Sequence, residues 1–270
     1  MVSGVTPTTS SLAGGLLITG HPRSGTTLLK NLCAAHPELF VTSEFSVFLA
    51  LGRPFPVYWK RLRKNWYERP LLSGPNRWNF VQRLRSGLFF YRFVAAVRSS
   101  AKPRVELAHV IQSLHQLAPH ATLVGDKTPG YVFRLSDFAD HPELKCVVIY
   151  RDPRDVAASA YRKATTDWKD RSFAQDYLDP AKTARSWLRA MNELERNLAL
   201  CLAIRYEDLV GQPEEAIRRL GDYLGVEQAA FDISSIKPNR VGKHARRLSS
   251  QAVQQIESTA GEMMARYGYG

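Results

Sequence analysis

The apolar positions of the chain fall into short continuous runs, each followed by a segment of helical character. Leu16 to Thr19 predicts a buried strand, and Thr26 to Ala35 the helix after it. TLVGDK (Thr122 to Lys127) predicts a second strand closed by a turn signal, and KCVVIY (Lys145 to Tyr150) a third, β-branched and bounded by charge. The third runs into RDPRDVAASAYRKA, where Pro153 suits the first turn of a helix and the alanines suit its body. LCLAIRY (Leu200 to Tyr206) predicts a fourth strand, followed by a Gly-Gln-Pro turn and the helix EEAIRRLGDYLG. Strands that do not alternate, each trailed by a helix, predict an α/β fold with a parallel sheet covered on both faces.

From about Phe45 to Pro119 the pattern changes to aromatic, proline-rich and basic sequence with no strand signal. We expect helices and loops inserted over the sheet (about 45–119) within one domain spanning 15–270, a size suited to a single large α/β unit. Such an insert suits a lid, an acceptor cleft or a partner surface. Residues 1–14 have neither a basic n-region nor an apolar core, so a flexible tail is expected there rather than a signal peptide. No apolar run approaches the ~20 residues of a membrane span.

Charge adds one fact: 37 Lys and Arg against 25 Asp and Glu leave a net +12. That fits either a solvated basic face or a polyanionic ligand, such as a nucleotide, an acidic peptide or nucleic acid. Basic residues interleaved with aromatics in the insert are also the usual composition of a nucleic-acid surface. That reading is kept as an alternative, and no nucleic-acid partner is expected. Cys33, Cys146 and Cys201 offer no CxxC pair and no metal-ligand spacing. Buried free thiols, a reducing compartment and a cytoplasmic location are therefore expected.

The stretch that carries chemistry is GHPRSGTT, residues 20–27, between the first strand and its helix. Gly20, Gly25 and Thr27 fit the phosphate-loop pattern G-x-x-x-x-G-K-[ST], but Thr26 stands where lysine is required. The glycines still allow the tight turn, and the helix N-terminus still offers backbone N–H groups to an anion. What is missing is the ammonium group that reaches the terminal phosphates of a triphosphate. Arg23 supplies a planar cation suited to oxyanions in its place. Phosphoryl transfer leans on loop lysine and magnesium together. No convincing acidic metal ligand follows a strand end, because Asp126 is succeeded at once by Lys127. No metal is therefore expected, although a nucleotide-dependent kinase of P-loop type remains the alternative enzyme. Sulfuryl transfer, whose moving group carries less charge, suits the altered loop.

PRSGTTLL (Pro22 to Leu29) resembles the 5′-phosphosulfate loop of the sulfotransferases, which use 3′-phosphoadenosine 5′-phosphosulfate (PAPS). VVIYRDPRDVAASAYRK resembles that family's second motif, a strand ending in arginine with serine eight residues on. The resemblance runs from residue 16 to about 250, with the middle poorly matched. It implies a P-loop-type three-layer α/β/α fold. It also implies that PAPS is the donor and adenosine 3′,5′-bisphosphate the product. In that comparison Arg23, Ser24, Gly25, Thr26 and Thr27 hold the 5′ side. Arg151 and Ser159 hold the 3′-phosphate, Lys163 helps, and Tyr206 lies near the cofactor. Lys237 and Arg240, in SIKPNRVGKHARRL, resemble the loop that closes over the nucleotide.

HPELFVTSEF resembles the segment carrying the catalytic glutamate in the branch acting on protein tyrosines and in some glycan-modifying bacterial members. Its register makes Glu44 the general base, in a cleft whose aromatic walls would raise its pKa. Lys127, with Arg23, is implied to stabilise charge on the bridging oxygen. Cytosolic members use histidine instead, and His109 and His115 are the candidates for that role. They are six residues apart on a predicted helix and so do not share a face. The expected acceptor is a hydroxyl on an acidic tyrosine peptide or on a glycan or glycolipid. Arg154 and Asp155 read as a surface ion pair. The sequence does not indicate an oligomeric state.

Overall fold

The computed structural model describes residues 14–68, 80–237 and 241–270. Of the tail expected over residues 1–14, only Gly14 lies within them, and it begins the first strand. In chain order the main elements begin with β1 (Gly14–Thr19), α1 (Thr26–Ala35), β2 (Leu39–Ser43), β3 (Arg53–Pro54) and α2 (Phe55–Glu68). Next come α3 (Phe80–Ser100), β4 (Arg104–Val105), α4 (Leu107–Leu117), β5 (Leu123–Lys127), β6 (Leu144–Tyr150) and α5 (Pro153–Thr165). Then α6 (Pro180–Arg196), β7 (Cys201–Arg205), α7 (Tyr206–Gly211), α8 (Pro213–Leu224) and α9 (Ser250–Arg266) complete the chain.

Five strands form one sheet in the order β2-β5-β1-β6-β7, and every pairing is parallel. β1 lies at its centre, and its side chains divide the core. Leu16 and Ile18 pack with Leu29 and Leu32 of α1 and Ile217 and Leu220 of α8. Leu17 faces the other way, into a cluster with Val110 and Leu114 of α4, Trp187 of α6 and Met263 of α9. The result is a three-layer α/β/α fold, as expected from strands buried on both faces. Among the described residues no helix is long and apolar enough to cross a membrane.

The sheet has one strand more than the hydrophobic pattern suggested. Leu39–Ser43 reads in sequence only as an extended return from α1, yet it pairs with β5 in register, Leu39 opposite Leu123 through Ser43 opposite Lys127. The fourth predicted strand is shorter, because Leu200 belongs to a 3₁₀ turn and Tyr206 already starts α7. Between β2 and β5 lie α2, α3 and α4, with one addition. Arg53–Pro54 and Arg104–Val105 pair as a two-residue antiparallel ribbon where no strand was expected.

Parallel order brings the carboxyl ends of β1, β2, β5 and β6 to one edge, where open α/β sheets bind ligands. One glycine enforces the spacing. A Cβ on Gly125 would sit 1.7 Å from the carbonyl oxygen of Leu16 on the neighbouring strand, so nothing larger fits. Gly125→Ala should therefore cost about 3 kcal/mol or more, read as a lower urea midpoint. A shift below about 0.5 kcal/mol would mean that β1 and β5 are not packed this closely.

Candidate active site

The loop between β1 and α1 turns back under the sheet edge. Gly20 and Gly25 have positive φ (152° and 105°), and so does Arg23 (77°), a left-handed conformation that a branched-chain or bulky residue rarely tolerates. Gly25 is further constrained by its neighbour, since a Cβ there would lie 2.4 Å from the Tyr206 ring. The loop is anchored from behind by His21. Its Nδ1 donates to the Pro22 carbonyl at 2.9 Å, leaving Nε2 to accept from the Ser186 hydroxyl at 3.1 Å. Burial lowers the His21 pKa to about 4, so the ring is neutral at pH 7 and serves as a fastening.

In front of the loop opens a cleft of about 1260 Å³, lined among others by Arg23, Gly25, Thr26, Thr27, Glu44 and Arg151. Ser159, Tyr206 and Lys237 also border it. Ser24 and Lys127 are buried directly behind its wall. Arg240 lies outside the described residues. Arg23 and Ser159, 136 residues apart, meet: the arginine Nε donates to the serine hydroxyl at 3.1 Å, and its guanidinium lies over the Trp168 ring. Burial first, and then Arg162 and Arg151, lower the Arg23 pKa from its ordinary value.

Lys163 does not line this cleft. It pairs with Asp167, which lines the wall, as does the preceding Arg162. The histidine candidates are also absent from the lining. His109 is engaged in capping α4, where its Nδ1 accepts the Glu106 backbone N–H at 3.1 Å.

Two carboxylates hold the site together. Asp126, at the end of β5, is fully buried and accepts five hydrogen bonds. They come from the Thr42, Thr128 and Tyr131 hydroxyls and from the backbone N–H groups of Phe45 and Ser46. Those two N–H groups belong to the turn that follows β2. Glu44 and Ser46 within it both adopt positive φ, 54° and 62°. The turn is closed from the other side by the Glu44 N–H donating to the Lys127 carbonyl at 2.7 Å. Glu44 is thereby presented at the cleft, where its Oε1 accepts from the Lys127 ammonium at 2.8 Å. The cleft it enters is lined by Trp168, Phe173, Tyr177 and Tyr206. Lys30 of α1 is buried nearby with its ammonium on Asn31, and burial followed by Lys127 lowers its pKa to about 8.

Asp155 is the second organiser, and it corrects the expectation of a surface ion pair. It is buried, accepts from Arg151 at 2.8 Å, and also accepts the backbone N–H groups of Gly242 and His244 and the His244 ring nitrogen. Arg151 is thus braced between Asp155 and the face of Tyr206, 4.2 Å away. The same carboxylate ties down the late segment that carries Lys243 to the cleft wall. Its spacing, four residues after Arg151 and in the first turn of α5, was the available signal. Arg154 behaves differently from a surface pair as well, reaching Asp152, Glu257 and the Tyr269 carbonyl. Trp168, Phe173 and Tyr177 form an aromatic wall beyond Arg23 that sequence reasoning missed.

The residues present suit a nucleotide bearing phosphate and sulfate groups. The Ser24 hydroxyl is buried without a hydrogen-bond partner, and no side chain caps the N-terminus of α1. Backbone donors and a hydroxyl at a helix N-terminus, edged by arginines, form an anion cradle.

The sulfotransferase family profile matches residues 15–230, and the chain belongs to that family. Among solved structures, the sulfotransferase domain of the Synechococcus PCC 7002 olefin synthase aligns with a TM-score of 0.58 and 19% identity, covering 91% of this chain and 94% of that one. The sulfotransferase domain from the curacin biosynthetic pathway aligns at 0.53 and 19%, covering 93% and 99%. Mouse sulfotransferase SULT7A1 complexed with PAP aligns at 0.51 and 12%, covering 94% and 86%. At these identities the likeness is one of fold. No curated protein matches the sequence significantly.

Burial opposes ionisation of Asp155, but Arg151 and the His244 donors outweigh it and hold its pKa below the ordinary carboxylate value. A depressed native pKa gives stability that is present above the unfolded-state value and lost as pH falls through the native one. Asp155→Asn should cost about 2 kcal/mol at neutral pH, less than an enclosed pair because the group borders the cleft. It should also flatten the acid limb of the stability curve. An unchanged acid limb in urea titrations would remove Asp155 as the brace.

Proposed function

We propose that the protein transfers the sulfuryl group of PAPS to an acceptor hydroxyl, with Glu44 as general base and Lys127 stabilising the leaving side. The observation that carries this reading is the Glu44–Lys127 pair. A half-buried carboxylate and a buried ammonium touch at 2.8 Å beside the anion cradle, each delivered by the carboxyl end of a strand. PAPS, when bound, supplies an activated sulfuryl group on a phosphate leaving group. Every other requirement falls to the chain.

Arg23 and the N–H groups at the start of α1 hold the 5′ end, and the Ser24 hydroxyl has a bond to give there. Arg151 and Ser159 hold the 3′-phosphate, with Arg162 also on the cleft wall. Lys237, Lys243 and Arg247 add cations from the late segment. PAP in the SULT7A1 structure supports this choice of nucleotide.

Glu44 takes the proton of the acceptor hydroxyl as that oxygen attacks in line. Lys127 is then released from Glu44 in charge terms and donates to the bridging oxygen from which the sulfuryl group departs. Removing a positioned base costs about 10²–10⁴ in rate, and a positioned cation in such a site about 10²–10³. The kinase alternative would need the loop lysine, whose position Thr26 holds.

Glu44→Gln keeps the shape of the turn and removes the base. Transfer from PAPS should fall by about 10²–10⁴ while adenosine 3′,5′-bisphosphate binds with unchanged affinity. Full turnover in this variant would sink the assignment of Glu44, and lost nucleotide binding would show that it acts by positioning.

A further inference from the structure

The net charge of the chain is not spread over it. Residues 53–104 hold 13 lysines and arginines against a single acidic residue, Glu68. The remaining 24 basic and 24 acidic residues cancel, so the whole net +12 belongs to this one stretch. Nine of its cations are exposed in the structure: Arg53, Lys60, Arg61, Arg63, Arg85, Arg92, Arg98, Lys102 and Arg104. None forms an ion pair with a described side chain.

The same stretch exposes large apolar side chains. Leu84 is 63% exposed, Leu88 61%, Tyr91 57% and, on α2, Val57 52%. At about 100° per residue, Leu84, Leu88, Tyr91 and Ala95 fall on one narrow stripe of α3. Arg85 and Arg92 lie along one margin of the stripe and Arg98 along the other. The opposite side of α3 is core: Phe89, Phe90 and Phe93 are buried, and their rings pack on Phe45 at 6.2, 5.8 and 5.1 Å. Phe45 follows Glu44. One helix therefore grips the turn of the proposed base on its inner side and shows an apolar, arginine-edged stripe on its outer side.

We propose that the outer face of α2 and α3 docks on an anionic lipid surface. Aliphatic side chains flanked by arginines suit the headgroup boundary, where the apolar stripe enters and the cations meet lipid phosphates and carboxylates. Nucleic acid would reward the cations but not Leu84, Leu88 or Val57, since its protein contacts are phosphate pairing and aromatic stacking. The docking itself is read without turnover and stands or falls independently of the sulfuryl-transfer assignment.

The test is sedimentation of the full chain with vesicles of phosphatidylcholine, with and without about a third phosphatidylserine. Each basic residue near such a surface is worth about fivefold in affinity, so Arg85→Gln/Arg92→Gln should weaken binding roughly 25-fold. Leu84→Ser/Leu88→Ser should weaken it by at least about tenfold at unchanged charge. Both pairs are exposed, so melting temperatures should stay near that of the parent. Arg196→Gln/Arg218→Gln, on other helices, should change binding by less than about threefold. Equal binding to neutral and anionic vesicles, or no binding to either, would overturn the proposal. So would vesicle binding that ignores the leucine pair. Capture by a single-stranded oligonucleotide in preference to vesicles, indifferent to the leucines, would overturn it in favour of a nucleic-acid surface.

Discussion

The geometry of the site depends on one buried carboxylate that has no part in the proposed chemistry. Asp126 collects five donors from three separate segments: the end of β2, the turn after it, and the start of the loop after β5. An unpaired buried carboxylate would cost several kcal/mol, and a turn with two non-glycine residues at positive φ adds strain of about 1–3 kcal/mol each. Neither is tolerable alone. Together each satisfies the other, because the strained turn aims the Phe45 and Ser46 N–H groups at the carboxylate. The product of that bargain is the position of Glu44 beside Lys127.

The 3′ side of the cleft repeats the arrangement with Asp155. That carboxylate fixes Arg151 on one hand and the 242–244 segment on the other, so two parts of the chain some 90 residues apart meet at one group. Both organising acids sit directly beside cations assigned to the nucleotide or the moving group. A site that must hold a polyanion needs its cations fixed in place, and cations packed together repel one another. Interleaved buried carboxylates offset that repulsion and restrict the cations to one geometry.

The parts of this design that are local in sequence were legible in it. The loop at Gly20–Thr27 and the strand-to-helix step at Arg151 and Ser159 are short motifs, and their spacing alone sets where the side chains go. The sheet was legible because buried parallel strands are continuous apolar runs. β2 was harder, since an edge strand of five residues that starts one turn after a helix resembles an extended connection. The roles of Asp126 and Asp155 were hidden because their partners lie up to 89 residues away. Lys163 meets the cleft through its partner Asp167, while Arg162 lines it directly, a distinction that motif spacing does not make. The insert was the least legible part. α3 is apolar on both its core and its outer side, so its periodicity gives no amphipathic signal.

The proposed reaction is transfer of a sulfuryl group without metal by a phosphate loop that lacks its lysine and is backed by Glu44 and Lys127. Its most direct test is transfer of label from sulfur-labelled PAPS in the presence of EDTA, across saccharides, glycolipids, tyrosine peptides and phenols. The account predicts labelled product from at least one of these hydroxyl classes, at a rate that EDTA does not change. Turnover that requires magnesium, or phosphate transfer from ATP with none from PAPS, would contradict it.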